Sequence, residues 1–234
     1  MLDLRGYGPS LMEGALVTIQ LAFMSLALAL TLGLLGATAK LSGSRVMRYG
    51  ATAYTTVIRG VPDLVMMLLL FYGGQVTINA LSDYLYDAHN IDFFYQFDPF
   101  LSGVLTIGLI FGAYMTETFR GAFLAVDNGQ IEAARAYGFT RWHTFRRIML
   151  PQMLRHALPG LGNNWQVLLK TTALVSIIGL TDMVRIAEQA AKAERAPFLF
   201  FIPVALVYLA LTAGSELFIR WLDKRANAGV AREG

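Results

Sequence analysis

The sequence predicts an all-α membrane protein with about five transmembrane helices and a short pair of helices at one membrane surface. Two observations predict this fold class. The 234 residues are 56% hydrophobic and only 15% charged, with a mean hydropathy of +0.51, whereas soluble domains carry about 25% charged residues. The apolar residues also gather into runs that are long enough for helices crossing the hydrocarbon, which takes roughly 20 residues.

The first two predicted spans differ in polarity. The first covers about residues 11–39 and is followed at once by basic residues. The second covers residues 54–81 and contains the run Arg59-Gly60-Val61-Pro62-Asp63 near its start. A loop at residues 82–98, which has four aspartates and no lysine or arginine, separates the second span from the third.

Three further spans are predicted in the second half of the chain. The third contains Gly103, Gly108 and Gly112, which are small enough to let helices approach closely. In order, this half comprises the third span at 99–126, a polar stretch at 127–151, the fourth span at 159–180, a mixed-charge loop at 181–197 and the fifth span at 198–221.

The distribution of basic residues predicts the orientation in the membrane. Thirteen of the 19 lysines and arginines lie on one predicted side. Three of them directly follow the first span, six lie in residues 120–155 and four lie from residue 220 onwards. Four lie on the other side. Because basic loops stay in the cytoplasm, we expect the N-terminus outside, the C-terminus inside and the polar stretch 127–151 in the cytoplasm.

The polar stretch 127–151 has the pattern of two short helices around a glycine bend. Asp127 and Gln130 have the spacing of a capping box, which starts a helix. Gly138 favours ending that helix, Thr140 can cap a second one, and Pro151 disfavours its continuation. Four arginines occupy one face of the pair, so it is suited to a membrane surface and a protein partner.

This stretch resembles the coupling loop of bacterial ABC importer permeases. The resemblance rests on Glu132-Ala133-Ala134, on Gly138 six positions after Glu132, and on Ile148, Leu150 and Pro151. It implies that the loop docks as a short helix into a cleft of an ATP-hydrolysing subunit. The residues implied in coupling are Glu132, Ala133, Ala134, Gly138, Phe145 and Pro151.

Two further motifs resemble amino-acid importers within that family. The run from Arg59 to Asp63 is similar to the subgroup that serves histidine, arginine, lysine and ornithine, and Lys170-Thr171-Thr172-Ala173-Leu174 is typical of amino-acid importer permeases. The resemblance implies one transmembrane domain over residues 1–234 that carries basic amino acids across a bacterial inner membrane. The alternatives are a permease for a neutral or acidic polar amino acid, or an ion-driven carrier, although carriers usually contain internal repeats.

The same resemblance implies the partners. They are an ATPase dimer, a second permease subunit, identical or related, and a periplasmic binding protein that delivers the substrate. The chain has no Gly-rich phosphate loop ending in Lys-Ser or Lys-Thr and no histidine pair with metal-ligand spacing. We therefore expect no catalytic residue, metal or cofactor in this chain, no nucleic-acid partner, and ATP with magnesium on the ATPase.

Charged residues near the start of the second span and in the third are functional candidates, because they are costly in hydrocarbon. Asp63 has two open interpretations: a contact with a cationic substrate, or an ion pair with Arg59 four residues earlier. Arg59 itself can extend to the phosphates of the cytoplasmic surface. Glu117 and Arg120 are three residues apart, on one helix face. In the family that the chain resembles, this pair occurs in importers of both cationic and neutral amino acids, which implies a structural pair over a substrate contact.

The fourth span carries a polar face formed by Asn163, Gln166 and Lys170. We expect Asn163, Asn164 and Thr172 to line the translocation path and Lys170 to have a pairing role, because a cation repels a basic substrate. Glu216 in the fifth span is interpreted as a packing residue. The complete hypothesis for the substrate path comprises Asp63, Glu117, Asn163, Asn164, Lys170 and Thr172.

Overall fold

The computed structural model describes residues 4–227, and all regular structure in this range is helical. The helices are α1 (Gly8–Leu41), α2 (Arg45–Gly60), α3 (Asp63–Leu68), α4 (Gly74–His89), α5 (Pro99–Leu124), α6 (Asn128–Ala136), α7 (Arg141–Thr144), α8 (Leu150–Thr171), α9 (Met183–Glu194) and α10 (Pro197–Ala226). Turns of π-helix at Leu69–Gly73 and Phe145–Met149 join α3 to α4 and α7 to α8. A 3₁₀ segment, Thr172–Ile178, extends α8.

The number of membrane-crossing segments agrees with the sequence. Four segments are long and apolar enough to span a bilayer, namely α1, Asp63–His89, α5 and α10. The fifth is a bent pair, Arg141–Ile178 and Met183–Glu194, whose two parts differ in direction by 54°. Counting this pair as one span gives the five that the sequence predicts.

The centre of the bundle is the contact between α1 and α5, which pack along most of their lengths. The predicted close approach at the α5 glycines is confirmed. A Cβ atom at Gly108 would lie 2.5 Å from the Leu28 side chain, and one at Gly112 would lie 2.8 Å from Cβ of Leu32. Small residues here therefore let the two helices meet without a gap.

The second span begins later than predicted. Residues 45–60 form the separate helix α2, and Val61 takes an extended conformation before Pro62, because the proline ring disfavours the α conformation in the preceding residue. The span proper starts at Asp63. Arg59 and Asp63 therefore lie on different helices, and among residues 4–227 no ion pair joins them.

The predicted loop at residues 82–98 is shorter in the structure. Helix α4 continues to His89 and ends at Asn90, which adopts a left-handed conformation with φ of 54°. Gln75 holds the remaining segment, since its Oε1 accepts from the Phe97 amide at 2.9 Å and its Nε2 donates to the Tyr95 carbonyl at 3.0 Å. The Asp98 carboxylate then caps α5.

The prediction that Pro151 stops the second helix of the polar stretch is wrong. Helix α7 continues through the π-helical turn into α8, with Pro151 in the first turn of α8 and Pro159 inside it. A proline normally clashes with the carbonyl four residues earlier. The wider π-helical turn directly before Pro151 relieves that clash, so one helical rod connects the polar stretch to the fourth span.

The predicted mixed-charge loop at residues 181–197 is mostly helix α9. Gly179, with φ of +101°, makes the bend that separates it from the fourth span. Asp182 caps α9 through the Arg185 amide, and Nη1 of Arg185 donates to the Ser176 carbonyl at 3.0 Å across the bend. The apolar face of α9 packs between α1 and α10, which explains why this charged segment is helical.

Candidate functional site

The first helix of the polar stretch, α6, starts as predicted but by a simpler cap. The Asp127 side chain accepts a hydrogen bond from the Gly129 amide at 2.8 Å. Gln130 does not complete a capping box. Its Oε1 instead accepts from Nε2 of Gln152 at 2.5 Å, which ties α6 to the beginning of α8.

Gly138 ends α6, as predicted. Its φ is +78°, a conformation that side chains disfavour. The amide of Gly138 donates to the Arg135 carbonyl and the amide of Phe139 to the Ala134 carbonyl, both at 3.0 Å. These two bonds form the Schellman motif that closes helix ends, so the bend is built into the backbone.

The second helix of the pair begins at Thr140, whose hydroxyl accepts from the His143 amide at 3.3 Å. Trp142 and Phe145 stack with ring centroids 6.0 Å apart. Trp142 is 63% exposed and Tyr137, before the bend, is 85% exposed. The bend therefore presents large aromatic groups, with arginines beside them, to the outside of the chain.

Helix α6 lies on the surface with little of itself buried. Of its nine residues only Ala134 is buried, and Glu132 and Ala133 are exposed. A cleft of about 1030 Å³ lies between α6, the start of α8 and the end of α10, and Ala133, Ala134 and Pro151 line it. Such an exposed helix with an adjoining cleft provides an uneven surface for a protein partner.

Glu117 lies in an ion-pair cluster that joins three helices. Arg120 Nε donates to its Oε2 at 2.9 Å, and Lys40 Nζ donates to its Oε1. Lys40 also donates to the Thr55 hydroxyl at 2.6 Å. The predicted pair with Arg120 is present, whereas Lys40 was missed because no spacing rule joins residues 77 positions apart. Both oxygens of this carboxylate are occupied by cations of the chain itself.

The polar face of α8 divides into two parts. Asn164 Nδ2 donates to the Thr118 hydroxyl at 3.0 Å, and Gln166 donates to Glu216, so these side chains join α8 to α5 and α10. Asn163 and Lys170 are exposed on the surface of the isolated chain. The face predicted to line a path therefore holds helices together at some positions and is open at others.

The other two polar candidates have contrasting surroundings. Thr172 is buried, and its hydroxyl donates to the Leu169 carbonyl at 2.7 Å and lies 3.2 Å from the Tyr208 hydroxyl. Asp63 is half-buried in the first turn of α3. Arg59 lies over the ring of Tyr114, 5.3 Å from its centroid. No ion pair therefore joins Asp63 to Arg59 in the described part of the chain.

The six candidates of the substrate path come from three separate parts of the bundle. Asp63 lies on α3, Glu117 on α5, and the other four on α8 or just after it. Within residues 4–227 no hydrogen bond or ion pair joins any two of them. Thr118 and Tyr208, which bind Asn164 and Thr172, were not predicted, because a lone hydroxyl in an apolar run carries no distinguishing pattern.

Comparison with known proteins places this geometry in a family. Residues 15–228 match the family described as binding-protein-dependent transport system inner membrane component. The chain is 51% identical over 229 residues, 98% of both chains, to the histidine/lysine/arginine/ornithine transport system permease protein HisQ of Salmonella typhimurium. It is 40% identical over 227 residues, 97% of this chain and 94% of the other, to the octopine transport system permease protein OccQ of Rhizobium radiobacter.

A solved structure is similar as well. It is described as the crystal structure of an amino acid ABC transporter with histidines, and the TM-score is 0.81 at 30% sequence identity. The match covers 96% of this chain and 97% of that chain. The agreement therefore extends over the polar stretch as well as the spans.

Proposed function

Because the chain belongs to the family of inner-membrane components of binding-protein-dependent transport systems, we propose that it forms half of the translocation path of an ATP-driven importer for basic amino acids. As a member of this family it is a multi-pass inner-membrane permease and not itself a catalytic subunit. The observation that carries the substrate class is the 51% identity, over 98% of both chains, to a permease for histidine, lysine, arginine and ornithine.

Asp63 is the residue that would select cationic substrates. In the structure the alternative partner, Arg59, lies on another helix and over the Tyr114 ring. A half-buried carboxylate with no cation of its own attracts a guanidinium or ammonium group more strongly than one in water. Glu117 is the weaker candidate for substrate contact, because Lys40 and Arg120 already neutralise it.

The polar stretch would transmit the motion of the partner ATPase, which holds ATP and magnesium. Helix α6 provides the exposed docking surface, and the bend at Gly138 fixes the angle between α6 and α7. Helix α7 continues into α8 without a loop. A displacement of α7 would therefore turn α8 directly, and with it Asn164 and its bond to Thr118 on α5.

The remaining partners are those that the family implies. The ATPase subunits lie on the cytoplasmic side at α6 and α7, with the C-terminus on the same side and the N-terminus outside. A periplasmic binding protein docks on the opposite face, where α9 and the segment after α4 lie. A second permease subunit completes the path. The cavity accepts substrate when the ATPase dimer closes on ATP, and opens inward after hydrolysis.

The direct test is uptake by reconstituted vesicles that contain this chain with its ATPase, its second permease and its binding protein. We expect uptake of labelled arginine, ornithine, lysine and histidine that requires ATP on the side of the membrane where the ATPase lies. We expect little uptake of glutamine or glutamate. Preferential uptake of glutamine or glutamate would favour the neutral or acidic class. Uptake driven by an ion gradient without ATP would identify a secondary carrier instead.

A further inference from the structure

An apolar crevice opens between α1 and α10. The two helices are linked through α9 at one end, where Leu11 and Phe200 belong to one apolar cluster. Towards the other end they leave a crevice of about 600 Å³. Residues that line it include Phe23, Leu30, Trp165, Leu211, Phe218 and Leu222.

The crevice has almost no polar character. Ser215 is the one lining residue with a hydroxyl group, and that hydroxyl donates to the Leu211 carbonyl at 2.7 Å within its own helix. Trp165, which carries an indole N–H, also lines it. A crevice this apolar does not hold water stably, and it lies along two membrane spans, so a hydrocarbon group suits it.

The crevice is elongated. The lining residues of α10 run from Ala210 to Leu222, a rise of about 18 Å along a helix. A volume of about 600 Å³ over that length accommodates an extended hydrocarbon chain.

The end of the crevice near the C-terminus of α10 carries a positive charge. Leu211, Phe218 and Leu222 lie on one face of α10, and Arg225, three residues after Leu222, continues that face. The guanidinium carbon of Arg225 lies 5.4 Å from the centroid of the exposed Trp221 ring. Tryptophan and arginine together mark the level of the lipid headgroups.

We propose that the crevice binds one acyl chain of an anionic phospholipid, with the headgroup phosphate held by Arg225. Asp223, two residues before Arg225, accepts a hydrogen bond from Asn227 and lies on a different face of α10. Arginine binds phosphate through several N–H donors at once, which gives the headgroup a directional contact. The bound lipid would fill the gap between α1 and α10. This inference requires a membrane protein but does not depend on which amino acid is carried.

Gly214 is a position from which an added side chain would enter the crevice. It lines the crevice, and a Cβ atom added there meets no atom within 4 Å. We expect Gly214→Leu to displace the lipid, and Gly214→Ala to retain most of it. The matched control is Ala213→Leu, which adds the same group on the outward side of α10, where Ala213 is exposed.

The measurement is native mass spectrometry of the complete complex, purified in detergent and incubated with phosphatidylglycerol or phosphatidylcholine. We expect the unmodified complex to retain phosphatidylglycerol in preference to phosphatidylcholine. Gly214→Leu should lose this retained lipid and Ala213→Leu should keep it. Arg225→Gln should abolish the preference between the two lipids, whereas Lys224→Gln should preserve it.

Two results would overturn the proposal. One is equal retention of phosphatidylglycerol by Gly214→Leu and by the unmodified complex. The other is efficient cross-linking of Gly214→Cys to another permease subunit, because this would place a protein helix in the crevice. The chain has no cysteine of its own, so a cross-link reports on position 214 alone. Lipid retention and cross-linking are measured without uptake, so failure here remains separate from failure of the proposed transport function.

Discussion

At the scale of single residues, Glu117 shows how a charge is kept inside the bundle. Its side chain is 19% exposed and that of Lys40 is 10% exposed. We predict that Glu117→Gln destabilises the protein by roughly 3 kcal/mol, because it leaves Lys40 largely buried without its counter-ion. The measurement is thermal unfolding of the purified complex in detergent.

The control for this change is Glu188→Gln. Glu188 pairs with Lys192 on the surface of α9, where both side chains are well exposed. Exposed ion pairs contribute little to stability, so this variant should unfold close to the temperature of the unmodified protein. Equal effects of the two substitutions would mean that the cluster around Glu117 does not stabilise the fold.

Asp63 carries the second prediction at this scale. If its carboxylate attracts the substrate cation, Asp63→Asn removes a charge-assisted contact of about 1.5–3 kcal/mol. This corresponds to a loss of roughly 10- to 100-fold in arginine or ornithine transport at low concentration. Asp83→Asn, an exposed carboxylate later in the same span, should change uptake little. A loss that is equal for basic and neutral substrates would reject selection by charge.

Residue pairs close in sequence were predictable and distant ones were not. Helical spacing correctly indicated Glu117 with Arg120, and turn chemistry correctly indicated Asp127 and Gly138. The same spacing rule was wrong for Arg59 and Asp63, because Pro62 interrupts the helix between them. Contacts such as Lys40 with Glu117 depend on how α1 packs on α5, which no local pattern specifies.

At the scale of helices, composition located the spans well and their ends less well. Long apolar runs correctly indicated the crossing segments, which number five when the bent pair is counted as one span. The predicted boundaries were wrong near two prolines. Pro62 directly precedes a new helix, whereas Pro151 lies in a continuous helix because the π-helical turn before it makes room for its ring. Helix α9 was taken for a loop because its charged face concealed the apolar face that packs on α1 and α10.

The bend between α6 and α7 gives a prediction about coupling. Gly138 has φ of +78°, and a Cβ atom there meets no neighbour within 4 Å, so a substitution acts through the backbone alone. We predict that Gly138→Val preserves assembly with the ATPase but lowers the amount of substrate carried per ATP hydrolysed. A left-handed conformation costs most residues about 1–2 kcal/mol, whereas asparagine tolerates it.

Gly138→Asn is the matched control, because it adds a side chain while keeping the left-handed conformation accessible. It should retain coupling closer to that of the unmodified protein. Both variants are compared by measuring uptake and ATP hydrolysis in the same vesicles. Full coupling in Gly138→Val would show that the angle of this bend does not transmit motion.

At the scale of the whole molecule, the path residues show where sequence reasoning stops. The six candidates lie on three parts of the bundle and make no direct bond to one another in residues 4–227. In the proposed importer the path would also involve a second permease subunit, whose contacts are not encoded in any local spacing. The family and the membrane architecture, by contrast, follow from the coupling motif and from composition, which are properties of short stretches and of averages.

The orientation of the whole molecule gives the last prediction. Because the chain contains no cysteine, Trp142→Cys and Asp87→Cys each create a single reactive thiol at an exposed position. We expect a membrane-impermeant maleimide to label position 87 in intact spheroplasts and position 142 only after the membrane is permeabilised. Binding of the ATPase should then protect position 142 and leave position 87 reactive. Labelling of position 142 in intact spheroplasts would place α6 and α7 outside the cell, where no ATPase can drive them.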